Sequence, residues 1–156
     1  MEVLVAKSAG FCFGVKNAVK TAYSNVNKNK VVTFGPIIHN KYVINDLESK
    51  GIKSVENLNN IKDETVLIRS HGIGPEIYNY MNKNNINYID CTCPYVKKIH
   101  KYVKDKFELN YKIIIIGDKN HPEIIGINGY CNNTAIIIKT PEEVTDIDFN
   151  KNEKYI

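Results

Sequence analysis

The sequence predicts an α/β protein with small parallel sheets flanked by helices. Short apolar runs alternate along the chain with segments whose apolar residues recur at helical spacing, which is the pattern of βαβ units. The apolar runs are continuous rather than alternating, and the clearest is a row of isoleucines at 113–116. Continuous apolar strands are typical of parallel sheets that are covered on both faces.

The first part of the chain alternates regularly between the two kinds of segment. Apolar residues at positions 15, 18, 19, 22, 23 and 26 give the first helix its face, Gly51 ends the second helix, and Pro75 precedes the third. We predict strands at 2–6, Val31–Phe34, Thr65–Ile68 and Tyr88–Asp90, and helices at 15–26, 42–50 and 76–83.

The second part continues the alternation after Pro94, which suits the first position of a helix. We predict helices at 95–109 and 124–130, strands at 112–116 and 135–138, and a helical turn at 141–144. Residues 154–156 resemble the start of a further strand. We therefore expect one α/β unit at 1–93 and a second, truncated unit at 94–156.

Composition restricts the classes of partner. Hydrophobic residues make up 43% and charged residues 24% of the chain, as in soluble globular proteins. The net charge of +4 favours an anionic ligand. No block of like charge predicts nucleic-acid binding, and no apolar run reaches the roughly 18 residues of a membrane helix.

The chain has four cysteines, and we expect them to be free thiols. The chain is neither short nor rich in cysteine, and its start lacks the basic and apolar regions of an export signal. These features predict the cytoplasm, or a plastid-type organelle in a eukaryote.

Residues suited to chemistry follow the predicted strands. Ligands of parallel α/β sheets bind beyond the carboxyl ends of the strands. That edge is predicted to carry three of the four histidines and three of the four cysteines, namely Cys12, His39, His71, Cys91, Cys93 and His121. One shared site explains this placement better than chance does.

The cysteines divide by context. Cys12 lies between glycines before a helix, and Cys93 precedes Pro94 at a helix start, where a thiol suits metal binding. Cys91 points away from Cys93 if the strand continues, so we expect it to pack inside, as we do for Cys131.

The histidines also have distinct contexts. His71 precedes a glycine turn before a helix, where open backbone amides can bind an anion. His121 precedes Pro122 and Glu123, and Glu123 is a candidate proton donor. His100 lies among lysines within a helix, so we expect it on a solvated face. The residues leave two chemistries open: zinc on Cys12, Cys93 and a histidine, or an iron–sulfur cluster beside an anion site.

Five motifs resemble the LytB family of 4-hydroxy-3-methylbut-2-enyl diphosphate reductases. They are GFCFGVKNAV, IIHNKYVINDLESKGI, IRSHGI, DCTCPYVKKIH and GDKNHPEIIG, in the family's order. The resemblance implies a trefoil-like enzyme of three α/β units, of which this chain would hold the first and most of the second. It implies a two-electron reductive dehydroxylation that yields isopentenyl and dimethylallyl diphosphates.

The resemblance also implies roles for individual residues. Cys12 and Cys93 match two ligands of a [4Fe-4S] cluster, and the third ligand would lie outside this chain. The family's substrate-binding histidines and proton-relay carboxylate match His39, His71, His121 and Glu123. A ferredoxin- or flavodoxin-type protein would supply electrons. The other possibilities are a non-catalytic zinc- or anion-binding module and a degenerate remnant.

Overall fold

The computed structural model describes residues 2–28 and 30–156, and the α/β class is confirmed. A 3-10 helix at Pro141–Asp146 follows β7. The remaining elements, in chain order, are α1 (Phe13–Tyr23), β1 (Val31–Phe34), α2 (Lys41–Ser49), β2 (Lys53–Val55), β3 (Thr65–Ile68), α3 (Pro75–Lys83), β4 (Tyr88–Asp90), α4 (Pro94–Glu108), β5 (Tyr111–Lys112), β6 (Ile114–Ile116), α5 (Pro122–Gly129), β7 (Ile136–Ile138) and β8 (Lys154–Tyr155).

Four strands form one parallel sheet in the order β2-β1-β3-β4. Side chains alternate between its faces. Leu67 in the central strand packs with Ala18 of α1 and Leu47 of α2. Its neighbours Val66 and Ile68 face the other side and pack in a cluster that includes residues of α3. Both faces are therefore covered, which explains the continuous apolar strands.

The second part of the chain contains shorter parallel pairs, β6 with β7 and β5 with β8. The predicted strand 112–116 is divided at Ile113, but the ladder continues through it. The carbonyl of Ile113 accepts from the Ile136 amide at 2.9 Å, and the Ile114 amide donates to the Ile156 carbonyl at 2.7 Å. Residues 111–116 are thus flanked by parallel neighbours on both sides.

One predicted strand was wrong, and one observed strand was not predicted. Residues 2–6 are not a strand, and Val3, Leu4 and Val5 are 72%, 86% and 77% exposed. An apolar run becomes a strand only when a neighbour takes its backbone hydrogen bonds, and no described strand pairs with it. Conversely, β2 was not predicted, because three residues that include a lysine and a serine carry no apolar pattern.

The predicted helices are confirmed with shifts of a few residues at their ends, which is normal for helix boundaries. The division of the chain at residue 93 stays a prediction. Across 2–28 and 30–156, none of the helices combines the length and the apolar character that crossing a bilayer requires.

Candidate functional site

Three loops at the carboxyl edge of the four-stranded sheet are joined by backbone hydrogen bonds. The Ser70 amide, after β3, donates to the Ile37 carbonyl, after β1, at 3.2 Å. The Cys93 amide, after β4, donates to the Ser70 carbonyl at 2.9 Å. The parallel ladder therefore extends beyond the strands, and it positions the loops that carry His39, His71 and Cys93.

The structure brings His39, His71 and His121 together. The ring centroids of His39 and His71 are 4.3 Å apart. The ring of His121 lies 5.4 Å from that of His39 and 5.9 Å from that of His71. The expectation that these three histidines share one edge of the fold is met by this geometry, and we call them the histidine cluster.

His121 reaches the cluster because α5 packs closely against the segment that begins α3. A side chain at Gly129 would meet the Gly74 Cα at 3.0 Å, and one at Gly126 would meet the Ile73 backbone at 3.6 Å. Small residues on this face of α5 allow the close approach. His121 is the N-cap of α5, and its Nδ1 accepts from the Glu123 amide at 3.2 Å.

Burial makes His71 difficult to protonate. It lowers the pKa of His71 to about 4, and the charges of His39, Arg69 and His121 act in the same direction. Its Nδ1 is buried without a hydrogen-bond partner among the described residues. A neutral His71 can donate one ring N–H to an anion without adding charge to an already basic cluster.

Cys12 and Cys93 each stand at the start of a helix. Cys12 is the exposed N-cap of α1, and Cys93 is the partly buried N-cap of α4. Both helix starts leave backbone amides free for an anionic sulfur or for ligands bound to it. Both thiols are free, as predicted from composition.

Gly14 brings the two helix starts together. A Cβ at Gly14 would lie 2.5 Å from Cys93 Sγ, so only glycine fits between α1 and the thiol. Cys12 is two residues before this contact. Gly14 therefore has a packing reason, which is the close approach of α1 to Cys93, whereas a Cβ at Gly10 would meet nothing within 4 Å.

Cys91 and Cys131 are buried, as expected for cysteines that pack inside. Burial raises the pKa of the Cys91 thiol to about 11 and also raises that of Cys131. Thiols that stay protonated at neutral pH make poor metal ligands. Cys91 packs in the core with Ala18 and Ala22, on the α1 side of the sheet.

The carboxylate of Glu123 has no hydrogen-bond or ion-pair partner among the described residues, and the side chain is partly buried. It can therefore interact with a bound molecule. Within 2–28 and 30–156, no group of three or more His, Cys, Asp or Glu side chains is arranged to hold a metal ion.

The prediction for His100 was wrong. Its side chain is buried, 3% exposed, and stacks on Tyr130 with ring centroids 4.3 Å apart. It supports the turn behind His71, because a Cβ at Gly72 would lie 2.6 Å from His100 Cε1. The spacing of His100 with the buried Val96 and Val103 is the signal that indicated an inward face.

Arg69 also lies near the histidine cluster, and it was not among the predicted site residues. Its Nε donates to the Gly72 carbonyl at 3.4 Å, and a Cβ at Gly35 would lie 2.7 Å from Nη1. The available signal was an arginine directly after a buried strand and two residues before a histidine.

Comparison with known proteins identifies the family of this arrangement. The family model described as "LytB protein" matches residues 3–156. A 4-hydroxy-3-methylbut-2-enyl diphosphate reductase from Clostridioides difficile is 46% identical over 158 residues, which is 99% of this chain and 57% of that protein. The enzyme of the same name from Caldanaerobacter subterraneus is 44% identical, over 96% of this chain and 54% of its own length. The chain spans about half the length of the curated relatives it matches.

Two solved structures share the fold. The E-1-hydroxy-2-methyl-but-2-enyl-4-diphosphate reductase from Plasmodium falciparum matches 96% of this chain and 48% of its own, with a TM-score of 0.88 and 35% identity. A structure titled as (E)-4-hydroxy-3-methyl-but-2-enyl diphosphate reductase, the terminal enzyme of the non-mevalonate pathway, matches 92% of this chain and 53% of its own. Its TM-score is 0.77 and its identity 42%.

Replacing Gly14 by alanine should lower the free energy of unfolding by about 1–3 kcal/mol, since the new methyl group meets Cys93 Sγ. Gly126→Ala is the matched control, because its Cβ meets only ordinary contacts at 3.6 Å and alanine favours a helix. Urea unfolding of both variants measures the difference. Equal stabilities would show that α1 does not press on Cys93.

Acidification should destabilise the protein through its buried histidines. Burial lowers the pKa of His100 to about 4, whereas an unfolded histidine titrates near 6.5. Protons therefore bind the unfolded chain first, and stability present above pH 6.5 is lost as the pH falls toward 4. His100→Phe should reduce this loss by up to ~3 kcal/mol in unfolding measured at pH 7 and pH 4. Identical pH dependence in both proteins would contradict the assigned burial.

Proposed function

Because the chain belongs to the LytB family, we propose that it supplies the part of a 4-hydroxy-3-methylbut-2-enyl diphosphate reductase that binds the substrate and provides two cysteine ligands of the cluster. The observation that carries the proposal is the meeting of three histidines at the sheet edge where Cys12 and Cys93 begin α1 and α4. The reaction would be a two-electron reductive dehydroxylation to isopentenyl and dimethylallyl diphosphates, in isoprenoid biosynthesis by the non-mevalonate pathway.

Cys12 and Cys93 fit the role of ligands to a [4Fe-4S] cluster. Both are free and not fully buried, whereas Cys91 and Cys131 are enclosed in the core. The close contact at Gly14 brings the Cys12 loop to the Cys93 thiol. A third ligand would come from outside this chain. When bound, the cluster would supply electrons and an electrophilic iron for the allylic oxygen.

The histidine cluster suits the diphosphate group of the substrate. Neutral or charged imidazoles donate N–H bonds to phosphate oxygens, and His39 and His121 adjoin the starts of α2 and α5, where backbone amides attract anions. The net charge of +4 adds a weak general attraction.

Glu123 is suited to deliver a proton. It lies in the first turn of α5, next to His121, and its carboxylate is free of protein partners among the described residues. A proton given to the departing oxygen would convert hydroxide to water, a far better leaving group. We assign Glu123 the role of proton donor in the reaction.

The electrons require a redox protein as partner, and a ferredoxin- or flavodoxin-type donor in the cytoplasm fits a chain with free thiols. The alternative function is a non-catalytic anion- or zinc-binding module, and the observation that favours it is the grouping of three imidazoles in one cluster.

A hybrid protein tests the two functions. This chain replaces the matching half of the Clostridioides difficile relative, and the hybrid is purified without oxygen. We expect iron with acid-labile sulfide and turnover of 4-hydroxy-3-methylbut-2-enyl diphosphate. Zinc without sulfide would favour the alternative, and neither metal would indicate a remnant.

Single substitutions in the hybrid separate the assigned roles. Cys12→Ser and Cys93→Ser should each lose most of the iron and sulfide, while the control Cys91→Ala should keep both. His71→Ala should keep the iron but lose turnover at least about tenfold, because a charge-assisted hydrogen bond is missing. Loss of iron in His71→Ala would show that His71 was assigned to the wrong function.

A further inference from the structure

Arg69 closes the turn that carries His71 with two hydrogen bonds to Gly72, one through its backbone and one through its side chain. The Gly72 amide donates to the Arg69 carbonyl at 3.0 Å, which makes residues 69–72 a β-turn with His71 at its third position. In return, Nε of the Arg69 side chain donates to the Gly72 carbonyl at 3.4 Å. One residue thus bonds both backbone groups of Gly72.

The back of this turn is fixed by packing. Gly72 has a φ of +75° and lies against Thr92 and His100, where an added Cβ would be 2.9 Å from Thr92 Cγ2 and 2.6 Å from His100 Cε1. On the side of the turn that faces the loop after β1, the Ser70 amide donates to the Ile37 carbonyl at 3.2 Å. The Arg69 side chain packs on the same side against Gly35.

Packing contacts, rather than a carboxylate, surround the guanidinium of Arg69. None of the ion pairs in the described part of the chain includes Arg69, although its side chain is partly buried. Nη1 lies against Gly35, where no side chain would fit, and the group stands 6.0 Å from the centre of the Phe34 ring. Even a partly buried cation that no carboxylate neutralises is costly, so we expect the guanidinium to have a role.

We propose that Arg69 is a positioning residue: its Nε–H bond to the Gly72 carbonyl fixes the turn that aims His71 at a bound diphosphate. The inference rests on the proposed function, because it presumes that the histidine cluster binds a phosphate-bearing molecule. Beyond that function, the bond from Arg69 Nε to the Gly72 carbonyl determines the orientation of His71. His71 itself makes no hydrogen bond through Nδ1, so its ring depends on this turn for its direction.

Two substitutions separate the bond from the charge. In Arg69→Gln the amide nitrogen stands the same number of bonds from Cα as Nε does, so the donor is kept and the charge is lost. In Arg69→Lys the charge is kept, but a carbon replaces Nε and the donor at that place is lost. A role in positioning predicts rescue by glutamine and failure of lysine.

The test uses the 156-residue chain and inorganic pyrophosphate as the probe, titrated by NMR at pH 8 so that His71 is neutral in every variant. Arg69→Lys should bind pyrophosphate about tenfold more weakly than the parent, and Arg69→Gln within about threefold of it. The opposite order would show that Arg69 acts through its charge, and equal affinities in all three proteins would show that it has no part in binding. Either result overturns the proposal.

Two further readouts do not depend on ligand binding. Hydrogen exchange at the Gly72 amide should accelerate in Arg69→Lys but not in Arg69→Gln. The pKa of His71, which faces His39 and His121 as well as Arg69, should rise in Arg69→Gln and stay unchanged in Arg69→Lys. If the parent chain fails to bind pyrophosphate, the proposed anion site is at fault. Unchanged exchange at Gly72 in Arg69→Lys would instead refute the role of Arg69 alone.

Discussion

The parallel register of β1, β3 and β4, continued past the strand ends by Ser70, is the constraint on which the site depends. Ser70 receives the Cys93 amide on one side and donates to Ile37 on the other. Each strand must end at the same level for these bonds to form. Because they do form, His39, His71 and Cys93 leave the sheet together, although they are far apart in sequence.

Glycines then determine how closely the remaining parts approach. Gly14 admits the Cys93 thiol against α1, Gly72 admits His100 behind the His71 turn, and Gly129 admits the backbone of Gly74 next to α5. In each case a methyl group would collide with a neighbour. Cys12, Cys93 and His121 thus stand at the starts of helices. The nearby glycines allow close packing rather than flexibility.

The sequence predicted the edge of the fold that holds the site, because strand ends in a parallel sheet point one way and the histidines and cysteines follow the strands. It was less informative where burial depends on distant contacts. His100 was predicted to face solvent because lysines surround it, yet Tyr130, the C-cap of α5, stacks on it. Residues 2–6 have the composition of a strand but no strand in the described part of the chain to pair with. Arg69 was not predicted because its position after β3 indicates only that it lies near the site, whereas its role depends on a side-chain bond to a turn.

The sheet register, together with the packing of α5 against the segment that begins α3, brings the three histidines into one cluster within this chain. Nuclear Overhauser effects between the imidazole protons of the isotope-labelled 156-residue protein test it most directly. Ring centroids 4.3 Å apart for His39 and His71, and 5.4 Å apart for His39 and His121, predict cross-peaks for both pairs, and His39→Gln should abolish them. A folded protein whose three imidazoles give no cross-peaks with one another would contradict the account.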